Sequence, residues 1–216
     1  MKITTTILLL FLALSLSAQA ADIGFAGDVT GVSTYVWRGV KQFDGASLQG
    51  TAEFSYGIVS VSYWIAGLNW EEVPVETDYY IGVSLPTGPV ETSAGATLYS
   101  FDHFAKAEYT VYEIYASLGL GPASLGFFYS PSQDNLDESV YWLELGGGTT
   151  FKGADLSATL GYGTYSNFVN DSDDAVATLL LGAGKTMGDF AVSWNWAVGL
   201  SEGMSNTFYL SAGYGF

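Results

Sequence analysis

The sequence predicts an all-β protein: one antiparallel, up-and-down transmembrane β-barrel of about 12 strands, with short turns at one end and longer loops at the other. Three observations predict it. The chain is 49 % hydrophobic, 16 % aromatic and only 13 % charged, with a mean hydropathy of +0.25. Yet after residue 20 no apolar run approaches the roughly 20 residues a membrane helix needs. Instead the apolar residues recur one in two, the period of a strand whose side chains alternate between two faces. The final stretch shows this best. Phe208, Leu210, Ala212, Tyr214 and Phe216 share one face, and Thr207, Tyr209, Ser211, Gly213 and Gly215 share the other. A barrel needs such a last strand to pair with its first, because lipid offers no partner for an open edge.

Taken in order, the chain starts with Lys2, an apolar run from Ile7 to Leu16, and Ser17-Ala18-Gln19-Ala20. This is the pattern of a cleaved signal peptide over residues 1–20, leaving 21–216 as the barrel domain. Twelve candidate strands follow: Ile23–Trp37, Ser47–Tyr56, Val59–Asn69, Thr77–Leu85, Val90–Tyr99, Ala107–Leu120, Ala123–Ser130, Ser139–Gly148, Asp155–Tyr165, Ala175–Thr186, Phe190–Leu200 and Asn206–Phe216. The third and tenth alternate poorly. Glycine and proline punctuate five short turns, at Gly57-Ile58, Pro86 to Pro89, Gly121-Pro122, Lys152 to Ala154 and Met187 to Asp189. Longer polar stretches, expected as outer loops, are Arg38 to Ala46, Glu71 to Glu76, Ser100 to Lys106, Pro131 to Asp137, Ser166 to Asp174 and Ser201 to Ser205. An even strand count puts both chain ends on the periplasmic side. A soluble lipocalin-like barrel also alternates, but with its apolar face inward. Here the small and polar residues take the inner face. Aromatics near strand ends are expected to form interfacial girdles: Tyr35, Trp37, Tyr56, Trp70, Tyr99, Phe101, Tyr162, Tyr165, Tyr214 and Phe216.

The formal charge is −16, one unit more negative once Lys2 leaves with the signal. That balance argues against nucleic acid as a partner. There is no cysteine, so no disulfide staples the fold. His103 is the single histidine, and no G-x-S-x-G nucleophile elbow accompanies it. No enzyme activity and no cofactor are expected. The acidic runs Asp134 to Glu138 and Asn170 to Asp174 lack the glycine and late glutamate of an EF-type calcium loop, so they read as wetted outer loops. Alternation turns Asp28, Glu53, Asp78, Glu113 and Glu144 inward, with Arg38 at the inner rim. These six are the candidate pore-lining residues. Arg38 is expected to pair with one acid, and the acids either set a lumen field or fill space.

The first hairpin also resembles a known family. Ser33 to Val40 (Ser-Thr-Tyr-Val-Trp-Arg-Gly-Val), then Gln42, Asp44-Gly45, Gln49-Gly50 and Phe54 to Gly57, are similar to the start of the TorF family of porins. Glu76, Asp78, Tyr80 and Gly82 look like that family's next landmark. The resemblance implies an outer-membrane barrel with a channel function and carries no catalytic residues. The expected function is passive diffusion of small hydrophilic solutes or ions with a preference for cations, in the outer membrane of a Gram-negative bacterium. The alternative is a non-conducting structural or adhesive barrel with a filled lumen; a barrel hydrolase comes third. Expected partners are outer-membrane lipid, lipopolysaccharide and, through the terminal Phe216, the barrel-assembly machinery.

Overall fold

The computed structural model describes residues 22–67, 75–103, 106–133, 136, 138–164 and 175–216. The expected signal peptide, Trp70, Tyr165 and the acidic run 170–174 lie outside them. Strand β1 (Ile23–Val32) leads into a short hairpin, β2 (Tyr35–Trp37) and β3 (Val40–Phe43). A meander follows: β4 (Ser47–Tyr56), β5 (Val59–Gly67), β6 (Val75–Thr87), β7 (Val90–His103), β8 (Lys106–Leu120) and β9 (Ala123–Ser130). It continues through β10 (Val140–Phe151), β11 (Ala154–Gly163), β12 (Val176–Met187), β13 (Phe190–Gly199) and β14 (Thr207–Gly215). Strands β1 and β4 to β14 close into a barrel of twelve, each antiparallel to its neighbours, while β2 and β3 pair only with each other.

Closure joins β1 to β14, with Asp28 opposite Gly215 and Val32 opposite Ser211. Reciprocal backbone bonds of 2.9 Å between Gly27 and Phe216 extend the seam by one step. Following the pairing register once around the barrel returns to β1 about 16 residues from the starting point. With ~3.3 Å of rise per residue and ~4.8 Å between strands, that stagger tilts the strands by about 43° and gives a backbone radius of about 12–13 Å. Eight strands make a barrel that wall side chains alone can fill. Twelve make a wider one, so something besides the wall must occupy this lumen or leave it open.

At one end, every connection is a two-residue turn. Gly57, Gly88, Gly121, Gly153 and Gly188 each take a positive φ there, the left-handed geometry that tight hairpins require. Both barrel termini lie at that end. The opposite end carries the longer connections, apart from the two residues that join β7 to β8. An epitope inserted at Asp171 is therefore expected to be reached by antibody on intact cells, and one at Gly153 to be shielded. Labelling before and after permeabilisation reads this directly, and the reverse pattern would invert the barrel.

The outer face is apolar. Phe25, Val29, Leu48, Phe54, Ile81, Ile114, Leu145, Trp194, Phe208 and Leu210 are all exposed, Trp194 and Phe208 to 73 %. Trp196 and Phe208 stack across β13 and β14 with ring centroids 5.0 Å apart. Such a belt would be a liability in water and is the expected surface in hydrocarbon. Inside lie serines, threonines, tyrosines and the acids.

Three expectations change. The first strand was expected to run to Trp37; it ends at Val32, and Tyr35–Trp37 turns into the lumen. Consequently Arg38 to Ala46 is not an outer loop but largely an inserted hairpin. Ser100 to Lys106 was expected as a loop, whereas β7 runs to His103 and β8 begins at Lys106, with a register shift between Phe101 and Asp102. The girdle also loses members. Tyr35 and Tyr99 are buried and Trp37 is half-buried, all engaged in the lumen, while Tyr56, Tyr162, Tyr214 and Phe216 are exposed on the outer face.

Candidate functional site

The lumen is crossed near its longer-loop end by the β2–β3 hairpin. Its tip is a tight turn in which Arg38 has φ 51° and Gly39 φ 78°. Gly39 faces Thr178 of β12 so closely that an added Cβ would come within 2.7 Å of the threonine Cβ. The Thr178 hydroxyl donates to the Arg38 carbonyl at 2.9 Å. Tyr35 packs on Trp64 of β5 with centroids 5.7 Å apart, and Trp37 meets Tyr99 of β7 edge-on at 5.9 Å. Trp37 also joins a buried apolar cluster of Leu136, Val140, Trp142 and Val176, with Phe128 and Met204 against it. The hairpin thus bridges walls on opposite sides of the barrel.

Arg38 and Glu113 are brought together. The guanidinium donates through Nη1 and Nη2 to the two Glu113 oxygens at 2.9 and 2.8 Å. The fork matches the carboxylate geometry, so both bonds are charge-assisted. Tyr99 donates its hydroxyl to Glu113 Oε1 at 2.9 Å. Both members are withdrawn from solvent, with side-chain exposures of 6 % and 1 %. The guanidinium carbon lies 4.3 Å from the ring centres of Trp37 and Phe128, a cation–π arrangement.

Asp78 is also buried. Its Oδ2 accepts the Tyr80 hydroxyl at 3.0 Å, while Oδ1 has no hydrogen-bond partner among the described residues. The other three acids are less buried. Glu53 accepts from Ser62 at 3.2 Å, Glu144 from the Trp142 indole at 3.0 Å and Asp28 from Thr30 at 3.2 Å.

Sequence reasoning missed Glu76. It was assigned to an outer loop, but it lies on β6 two residues before Asp78, buried, and accepts a hydrogen bond from Tyr35. The spacing of Glu76, Asp78 and Tyr80 could have shown it, since residues two apart on a strand share a face. Thr178 was missed as well, and no local signal marks it.

Toward the two-residue-turn end lies a cavity of about 570 Å³, lined in part by Ser84, Glu91, Ser93, Ser117 and Ser124. Ser93 and Ser117, register partners on β7 and β8, bond each other on its wall at 2.7 Å. The lumen therefore has an open cavity at one end and a packed constriction toward the other. Among the described residues, no three acidic or histidine side chains converge as metal ligands.

This closed sheet, apolar outside and polar within, defines a barrel of the outer-membrane type. No family model and no curated protein matches the sequence. Among solved structures the chain is similar to the COG4313 outer membrane channel from Pseudomonas putida F1, with a TM-score of 0.51 and 11 % identity over 91 % of this chain and 94 % of that one. The loop L8 deletion mutant of OmpT, an outer membrane protein of Vibrio cholerae, aligns with a TM-score of 0.45 and 11 % identity over 92 % and 100 %. Pseudomonas aeruginosa OccK5 aligns at 0.46 and 12 % over 90 % and 67 %. At 11 % identity the likeness to the COG4313 channel is one of fold.

Proposed function

We propose that the protein is a Gram-negative outer-membrane channel of the TorF type, exported through a cleaved signal peptide at residues 1–20. It passes small hydrophilic solutes or ions by passive diffusion and favours cations. Insertion relies on the barrel-assembly machinery reading Phe216, and the apolar belt contacts lipid, with lipopolysaccharide at the outer leaflet. One observation carries this reading: a closed, polar-lined barrel too wide for its own wall to fill, narrowed by a hairpin at an acidic constriction. A non-conducting barrel is the second reading, favoured by the apolar cluster that seats Trp37. The refolded protein in a planar bilayer decides between them, since only a channel gives unitary current steps.

For selectivity, the acids that matter are those not already neutralised. Glu113 is paired with Arg38, and Glu76 and Asp78 are buried beside it, so the more exposed Asp28, Glu53 and Glu144 set the wall potential that a passing ion meets. A KCl gradient is expected to give a reversal potential of cation sign, strongest in dilute salt, because the screening length falls from about 30 Å at 0.01 M to about 3 Å at 1 M. Changing Asp28→Asn, Glu53→Gln and Glu144→Gln together should bring it toward zero. A triple variant with parental selectivity would show that these side chains only fill space.

A further inference from the structure

Arg38 is held in the lumen as a ligand is held by a receptor. The barrel wall supplies a carboxylate fork from Glu113 on β8, a phenol from Tyr99 on β7 and a ring face from Phe128 on β9. These three elements, a bidentate acceptor, a donor that orients it and an aromatic plane, are what recognition of a guanidinium requires. The tip of the hairpin adopts the left-handed backbone of a two-residue turn, as Lys152-Gly153 does at the other end, and Thr178 and Glu113 seat it in the lumen.

A second observation is independent of Arg38. Asp78, on the adjoining strand β6, is 3 % exposed, and its Oδ1 receives no hydrogen bond from any described residue. A buried carboxylate oxygen without a donor is costly. Glu76 stands beside it and Glu113 is close enough to interact with it. This wall therefore presents more acceptor capacity than the Arg38 contacts described above use. Asp78 Oδ1 is thereby left as an acceptor for a donor-rich cation seated beside Glu113.

The geometry points to a binding site on the inner wall of β6 to β9 for a small organic cation bearing a guanidinium group, with Arg38 as its tethered occupant. A free guanidinium solute competes with Arg38 for Glu113 and uses Asp78 for its further donors. The site deepens the channel reading above and rests on it only for access to the lumen.

The test uses agmatine and methylguanidinium as probes, with choline and sodium at matched ionic strength as controls. Parent and Arg38→Ala are refolded in detergent micelles, and tryptophan fluorescence is titrated, since Trp37 and Trp64 adjoin the site. A tether of this length holds its ligand at a millimolar effective concentration or above, so removing it should strengthen apparent agmatine binding by about tenfold or more. Adding Glu113→Gln should abolish the gain. An Arg38→Ala variant that folds but answers agmatine no better than sodium overturns the site. Should Arg38→Ala fail to fold, Thr178→Val frees one anchor of the tip without touching the receptor. Its agmatine midpoint should fall below the parent's, and an unchanged midpoint overturns the tethered-occupant assignment. Planar bilayers separate the two readings. Current steps without an agmatine response remove the site and keep the channel; an agmatine response in a protein that never conducts does the reverse.

Discussion

Glu113→Ala is expected to release the hairpin and to cost more stability than any other single change in the lumen. It leaves the Arg38 guanidinium buried without its carboxylate, and orphaning one member of a buried ion pair costs about 3–5 kcal/mol. The Tyr99 hydroxyl loses its acceptor at the same time. Two measurements read the result. The urea midpoint of the micelle-refolded variant should drop, and trypsin should gain access to Arg38 and Lys41 while the rest of the barrel stays resistant. Glu113→Gln retains the shape and one neutral acceptor, so its loss should be smaller. Parental stability and parental protease resistance in Glu113→Ala would mean that the Arg38 pair does not hold the hairpin.

The second large effect concerns the seam. Deleting Tyr214 to Phe216 removes the Val29–Tyr214 and Asp28–Gly215 pairs and the reciprocal bonds of Phe216 with Gly27. It also removes the 2.8 Å bond from the Gly215 amide to the Asp189 carbonyl. Of the ladder pairs with β14 only those of Thr30, Gly31 and Val32 would remain, with the Ser33–Leu210 bonds beyond them. An open edge in hydrocarbon leaves backbone groups unsatisfied at several kcal/mol each. The truncated chain should fractionate as a periplasmic, protease-sensitive species, with no heat-modifiable band on a cold gel. Normal insertion would show that a three-pair seam suffices and that Phe216 carries no assembly signal.

Where the wall is two-faced, the fold was legible. Ser47–Tyr56 and Ala123–Ser130 have the boundaries the alternation predicts, because lipid on one side and polar lumen on the other impose a strict period of two. Poor alternation in the third strand has a physical source. Tyr63 faces out, and Trp64 faces in because the hairpin's Tyr35 packs there. Leu179, Leu180 and Leu181 break the tenth, with Leu180 on the lumen side beside Thr178. The hairpin itself was not legible. Tyr35 and Trp37 continue the period of the first strand, so they read as its end. Whether a loop leaves the barrel or folds into it depends on partners far along the chain. That same dependence hid the role of Thr178 and put Glu76 outside. The inward direction of Asp78 and Glu113 followed from parity alone; what they touch did not.

Those distances along the chain have a consequence for assembly. Arg38 meets Glu113 across 75 positions and Thr178 across 140, and the Ser33 hydroxyl meets the Leu210 amide across 177. Contacts of such separation form only after intervening loops have been closed, which places them late in folding. The hairpin leaves β1 before any of its seats exist, and its Thr178 seat arrives only when nine further strands, β4 to β12, have been laid down. The order of synthesis and the order of packing therefore run in opposite directions. The first segment of the barrel to be made is among the last to be fixed, and whatever holds the nascent sheet open must keep β1 unpaired on its free edge until β14 arrives.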